Sequence, residues 1–245
     1  MKQGIGIGIL AFAVSGIATH PAHAAGKARL FVNGAFAASS LDFNEHRSFS
    51  EFAEQGSIAS AYKEKTGPGF ELGLQYNFSR HLGLAASFYI TNRDGSGSYE
   101  AALPHPLYLD KPRAASGTLG NLSYKENAGL LDVVWSGSKG KWDVLLMGGV
   151  TLFKVTADLV DRIQYSQSYP YDSVTVSGTT KASSSDSPVG FNLGGGLDYR
   201  FSSRFGLGAQ ARFARAKAKL VPSQGNSVEI DAGGLQVAAG ARIYF

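Results

Sequence analysis

Leu235-Gln236-Val237-Ala238-Ala239-Gly240-Ala241-Arg242-Ile243-Tyr244-Phe245 is the stretch that decides the fold. Leu235, Val237, Ala239, Ala241, Ile243 and Phe245 alternate with Gln236, Ala238, Gly240, Arg242 and Tyr244. Period 2 is the repeat of a β-strand, whose successive side chains point to opposite faces. One face here is wholly apolar and the other mixed, up to a terminal phenylalanine. The stretch is long enough to cross a bilayer, which takes about 9–11 tilted strand residues.

The same alternation recurs upstream. Phe205, Leu207, Ala209, Ala211 and Phe213 oppose Gly206, Gly208, Gln210, Arg212 and Ala214, and Phe70, Leu72, Leu74, Tyr76 and Phe78 oppose Glu71, Gly73, Gln75 and Asn77. Strands are expected at about 28–39, 67–78, 82–91, 122–135, 142–152, 191–201, 205–219 and 235–245. Tight turns fall at 79–81, 136–141 and 202–204. Three long polar stretches, 40–65, 92–120 and 159–189, read as loops, with a shorter one at about 221–227. Tyr124 and Glu126 break the pattern of the fourth strand, which points to a bulge or a protruding rim there.

Short turns at one end and long connections at the other suit a transmembrane barrel. Phe78, Trp135, Trp142, Tyr199, Phe201, Phe205 and Phe245 lie beside the short turns, and Phe36, Phe88 and Phe213 mark a second boundary. In lipid every backbone group needs an internal partner, so a sheet must close on itself. The expected fold class is all-β: an eight-stranded antiparallel transmembrane up-and-down β-barrel.

The beginning of the chain reads as an export signal. Lys2 supplies the positive region, residues 4–17 the apolar region, and Ala22-His23-Ala24 a small-residue cleavage site. The expected division is a signal peptide, 1–24, and one barrel domain, 25–245. There is no cysteine, so neither a disulfide framework nor a thiolate metal site is available. The net charge of +4 is slight and scattered, which excludes nucleic acid as the expected partner.

On these segments the whole mature chain resembles small bacterial outer-membrane barrels of the OmpA, OmpX and OmpW type and the opacity-like surface proteins. Gly240, Ile243 and Phe245 are similar to the closing-strand signal of such barrels, which implies recognition by the barrel-assembly machinery. The resemblance implies residence in the outer membrane, among its lipid and lipopolysaccharide, with turns in the periplasm and loops outside. It says little about activity.

Parity places Glu71, Asp132 and Asp198 with Arg200, Arg212 and Arg242 inside the barrel. Small barrels are filled by side chains, and an unpaired charge there costs several kcal/mol, so a structural ion-pair network is expected. A narrow, gated pore is the alternative reading of the same residues. Phe31, Leu130, Val134, Leu145, Met147 and Phe153 are inward yet apolar, and read either as packing or as a sector that binds or passes a hydrophobic molecule. Arg215, Lys217 and Lys219 continue the outward face past Phe213, at the height of lipopolysaccharide phosphates or as a solvated strand extension.

Catalysis has one weak foothold. His46-Arg47-Ser48 has the H-x-S spacing of lipid A deacylase barrels, with Glu45 and Glu51 nearby, but it falls in an expected loop without a framework for a triad. The five histidines show no metal-ligand spacing, and no cofactor is implied. The expected function is non-enzymatic: a structural or surface-interaction barrel whose long extracellular loops meet an outside ligand or surface. A porin-like channel or hydrophobic-molecule passage is second, and an outer-rim lipid hydrolase third.

Overall fold

The computed structural model describes residues 28–221 and 227–245, so the expected signal peptide lies outside the described residues. The described chain forms antiparallel strands β1 (Ala28–Ala37), β2 (Leu41–Glu51), β3 (Glu54–Glu64), β4 (Gly67–Asn77), β5 (Leu82–Leu103), β6 (Arg113–Lys139), β7 (Trp142–Ser166), β8 (Thr175–Asp186), β9 (Val189–Arg200), β10 (Phe205–Leu220) and β11 (Val228–Tyr244). Eight of them close a ring in the order β1-β4-β5-β6-β7-β9-β10-β11. The terminal stretch is the closing strand, with Tyr244 opposite Arg29 and Gln236 opposite Ala37 on β1. The eight-stranded barrel is as the alternation predicts.

The three long polar stretches are a correction, for they are largely strand rather than loop. The β2–β3 hairpin rises above β1 and pairs through β3 with the upper part of β5. The upper parts of β5 and β6 pair with each other, and β8 pairs with the upper part of β7. The barrel wall therefore continues well past the expected strand ends. A register irregularity between Gly95 and Gly97 faces Leu119–Leu122, where Asn121 has a φ of 54°. This is the irregular rim expected near Tyr124, although inward parity itself runs unbroken from Leu122 to Ser136.

The chemical sense of the alternation reverses along each long strand. On β10, Leu207, Ala209, Ala211 and Phe213 face outward with Gln210 and Arg212 inward; higher up, Arg215, Lys217 and Lys219 face outward with Ala214, Ala216, Ala218 and Leu220 inward. On β7, Val144, Leu146, Val150 and Leu152 give way outside to Lys154, Thr156 and Asp158, and Asp143 and Thr151 give way inside to Phe153, Val155, Ala157 and Leu159. The lower barrel is apolar outside and largely polar within; the upper barrel is polar outside and largely apolar within, although Glu45, Arg47, Glu64, Arg93 and Glu126 are buried there too. Ten residues of β7 separate Trp142 from Leu152, about 33 Å of strand and about 25 Å of height at the usual tilt, which matches the apolar band of an outer-membrane barrel.

The upper barrel holds a core of its own. Phe43, Ile58, Tyr62, Tyr99, Leu103, Leu122, Leu159, Val160 and Ile163 pack there with the alanine face of β10 and with Ile230 of β11. Each large aliphatic side chain buried in this way contributes about 1.5–3 kcal/mol relative to exposure. The extension is thus built like a water-soluble domain on a lipid-soluble base.

Candidate functional sites in the lumen and at the outer rim

The lower lumen is filled by one connected polar network. Asp198 on β9 accepts from Arg29 on β1 and from Arg242 Nε on β11 at 2.9 Å. Arg242 Nη1 reaches Asn33 Oδ1 at 2.5 Å, and Asn33 donates to Glu71 Oε2 at 2.7 Å. Glu71 also accepts from Gln210 at 2.6 Å and from Arg212 Nη1 at 2.7 Å. Arg212 Nη2 then contacts Asp132 at 3.3 Å, and Asn192 joins Asp132 to Thr151 at 2.8 and 3.0 Å. Three arginines balance three carboxylates, which is how a low-dielectric interior tolerates charge.

Five of the six charges named from parity belong to this network, and Arg200 does not. It pairs with Asp143 at 2.7 Å at the short-turn end of the barrel, with its guanidinium over the Tyr244 ring. Arg29 takes the third cationic place, and Gln75 holds it through a 2.5 Å bond. The parity of β1 already places Arg29 inward beside Phe31, and the parity of β7 places Asp143 inward between Trp142 and Val144, so both were open to the same rule. Gly208 makes the network possible: a Cβ there would lie 1.9 Å from Asp198 Oδ1 and 2.6 Å from Arg242 Nε. At Gly73 a Cβ would lie 2.3 Å from the Phe31 ring.

The inward apolar residues are buried but do not share one sector. Phe31 lies between two guanidiniums, with Arg29 Cζ 5.7 Å and Arg242 Cζ 5.5 Å from its ring centroid. Val134, Leu145 and Met147 form a small cluster with Ala85, and Leu130 and Phe153 belong to the upper core. Met147 faces the network through its sulfur, 3.2 Å from Arg212 Nη2.

At the upper boundary, Arg215, Lys217 and Lys219 are exposed on the outer wall, as their parity predicts. The first two have acids on the neighbouring strand: Arg215 with Asp231 at 2.7 Å and Lys217 with Glu229 at 2.5 Å. These pairs raise the pKa of both cations and lower that of Glu229. Gly240 and Ile243 lie on β11 within its pairing to β1, and Phe245 follows the strand, largely exposed.

His46 and Ser48 sit on β2 rather than in a loop, and both face outward to solvent. Opposite them on β3 stand Ala59 and Ser57. Glu45 lies on the other face, buried and bonded to the Tyr62 hydroxyl at 2.7 Å, and Glu51 accepts from Tyr165 at 2.7 Å. Neither carboxylate orients His46, so the H-x-S spacing assembles no triad. Among the described residues, no three His, Asp or Glu side chains are placed to hold a metal ion.

The far end of the extension is a rim joined by polar contacts. The Asp110 amide donates to Glu54 at 2.5 Å, Lys111 pairs with Asp172 at 2.9 Å, and Arg113 bonds Gln167 at 2.5 Å. His105 is buried there and accepts from the Leu107 and Tyr108 amides at 3.1 and 3.2 Å. Burial and then the bond to Glu51 push the Tyr165 hydroxyl up to about 12. Outside this frame Phe52, Leu107, Tyr108, Leu109 and Tyr169 stand exposed, Leu109 at 73% and Tyr169 at 80%. A cavity of about 320 Å³ opens beside them, lined by residues from the tops of β2 and β7 that include Arg47, Phe49, Glu51, Asp161, Arg162 and Tyr165.

Residues 9–242 match the family described as outer membrane protein beta-barrel domain. Among solved structures, the chain is similar to Neisserial surface protein A, at 12% identity and a TM-score of 0.45, over 88% of this chain and 97% of that one. It is similar to Ail, the attachment invasion locus protein of Yersinia pestis, at 14% identity and a TM-score of 0.38, over 88% and 99%. It is also similar to the outer membrane protease OmpT from Escherichia coli, at 9% identity and a TM-score of 0.46, over 89% and 97%. No curated protein sequence matches the chain.

Proposed function

The chain belongs to the outer membrane protein β-barrel family and resides in the outer membrane, and on that premise we propose that it is a non-enzymatic surface-interaction barrel whose extension faces the outside. One observation carries this reading: large apolar side chains stand exposed on a rim whose connections are joined to one another by an ion pair and hydrogen bonds. A soluble end normally hides such groups, and a patch of them marks a contact surface. Phe52 adds to it. The β2–β3 turn holds Phe52 and Ala53 at φ values of 52° and 64°, a left-handed conformation that costs a non-glycine residue about 1–2 kcal/mol. The aromatic ring is displayed at the hairpin tip in spite of that cost.

The test is adhesion of bacteria displaying the protein to apolar and protein-coated surfaces. The variant carries Leu107→Ser, Leu109→Ser and Tyr169→Ser, which alter only exposed side chains. With equal amounts of folded barrel, judged by heat-modifiable gel mobility, the variant is expected to lose most of the adhesion. Undiminished adhesion in the variant overturns the reading.

A second reading rests on the rim cavity. Its volume is at the small end of ligand sites, and its walls carry aromatic, aliphatic and charged groups, so it supports small-molecule binding at the rim. Passage through the lumen has less support, because side chains fill the lower barrel and the extension's apolar core lies above them. The hydrolase reading has least, since His46 and Ser48 face solvent without an orienting carboxylate.

A further inference from the structure

The lining of the rim cavity selects a chemical class. Its floor is aliphatic, with Ile58 on β3, Leu103 at the end of β5 and Ile163 on β7 all buried. One wall is the Phe49 ring. That ring lies against β3 because Gly56 has no side chain, and a Cβ there would come 2.4 Å from the ring's Cζ. Tyr165 on β7 supplies a second ring. The charges around the cavity cancel, Arg47 and Arg162 against Glu51 and Asp161, so it favours neither an anion nor a cation.

Its hydrogen-bonding groups do not cancel. The inward donors already have acceptors: Arg47 Nη2 donates to the Val160 carbonyl, and the Tyr165 hydroxyl donates to Glu51 Oε2. The carboxylates have capacity to spare. Among the described residues Glu51 accepts that one bond, and Asp161 has only Arg47 Nη1 at 4.0 Å, longer than a hydrogen bond. An ionised carboxylate offers about four lone-pair sites, so both acids can accept again at the cavity edge.

We propose that this cavity binds an uncharged aromatic ring bearing one N–H or O–H donor, as in an indole or a phenol. The ring lies on Phe49 and the aliphatic floor, and its donor bonds Glu51 or Asp161. This deepens the small-molecule reading of the cavity and rests on it. Such a ring arrives either free or as a tryptophan or tyrosine side chain of an outside polypeptide. A sugar fits less well, because the hydroxyls around it would be buried against Ile58, Leu103 and Ile163 without partners. An acyl chain fits less well too, since it would desolvate both carboxylates and donate nothing to them.

The experiment is methyl NMR of the folded barrel in nanodiscs, titrated with skatole, which is the tryptophan side chain alone. Skatole in the cavity should shift the methyl signals of Ile58, Leu103 and Ile163 saturably, which its partition into lipid does not do. N-methylskatole lacks the donor and should bind about tenfold more weakly, the scale of a hydrogen bond to a charged group. The isosteric Glu51→Gln, Asp161→Asn double variant makes both acceptors neutral and should weaken skatole about fivefold. Asp172→Asn, elsewhere on the rim, should leave binding unchanged, with the folding of each variant checked by heat-modifiable gel mobility. Equal midpoints for skatole and N-methylskatole overturn this inference and leave the small-molecule reading standing; no saturable shift with either overturns both. A blocked Ser-Trp-Ser peptide separates the sources. Shifts of the same methyls assign a polypeptide side chain, and skatole binding without peptide binding assigns a free aromatic.

Discussion

Replacing Arg212 with methionine should cost this barrel a large part of its stability. The guanidinium is buried and lies 2.7 Å from Glu71 and 3.3 Å from Asp132, carboxylates that are themselves 1% and 3% exposed. Methionine keeps most of the volume and removes the charge, so two carboxylates are stranded inside the ring. Breaking a buried pair from one side costs about 3–5 kcal/mol, and even 3 kcal/mol lowers the folded-to-unfolded ratio more than a hundredfold. Trp135 and Trp142, on the lipid face beside one short turn, report urea unfolding in vesicles by fluorescence. Adding Asp132→Asn to Arg212→Met should restore most of the loss, because Arg29 and Arg242 then balance Asp198 and Glu71, and Glu71 keeps the Asn33 and Gln210 donors. A loss below about 1 kcal/mol for Arg212→Met, or a double variant no better than the single one, would refute the claim that charge balance governs the lumen.

Two further outcomes follow from the same interior. Glu64 is buried above the lipid band, and desolvation pushes its carboxyl up to about 7 despite the opposing charge of Arg93. A folded-state value above the unfolded 4.5 means that the stability Glu64 contributes is complete below pH 4.5 and is lost as pH rises through 7. Glu64→Gln should therefore be near neutral at pH 4 and stabilise the protein at pH 8 by about 2–3 kcal/mol; identical urea midpoints for variant and wild type at pH 8 would contradict this. In planar bilayers the folded barrel should stay silent, since filled lumen and apolar core lie in series. Reproducible conductance steps that change on Arg212→Ala or Asp198→Ala would overturn the picture of a closed interior.

Most of the ring was legible from period 2 alone, because parity does not depend on chemistry. Parity put Glu71, Asp132, Asp198, Arg212 and Arg242 inside before any contact was known, and it also pointed Arg29 and Asp143 inward. The extension escapes the rule that apolar residues face outward, because that rule holds only where the wall meets lipid. In 40–65 the alternation persists with Phe43, Ile58 and Tyr62 turned inward, and the outward Asn44, His46, Ser48 and Lys63 make the stretch resemble a loop. The rim contacts were beyond reach: Tyr165 and Glu51 are 114 residues apart, and no local pattern announces their bond.

The length of the strands has a mechanical consequence. β5, β6 and β7 run 22, 27 and 25 residues from the short turns to the rim without a linker. Hydrogen bonds of an antiparallel ladder lie perpendicular to the strands, so a pull along them loads many bonds in shear together. A tug on Tyr169 or Leu109 is carried straight down into the ring held by the bilayer. Sideways drag, as from flowing liquid, turns the extension as a lever about its membrane seat, so the load passes into the ring as a bending moment.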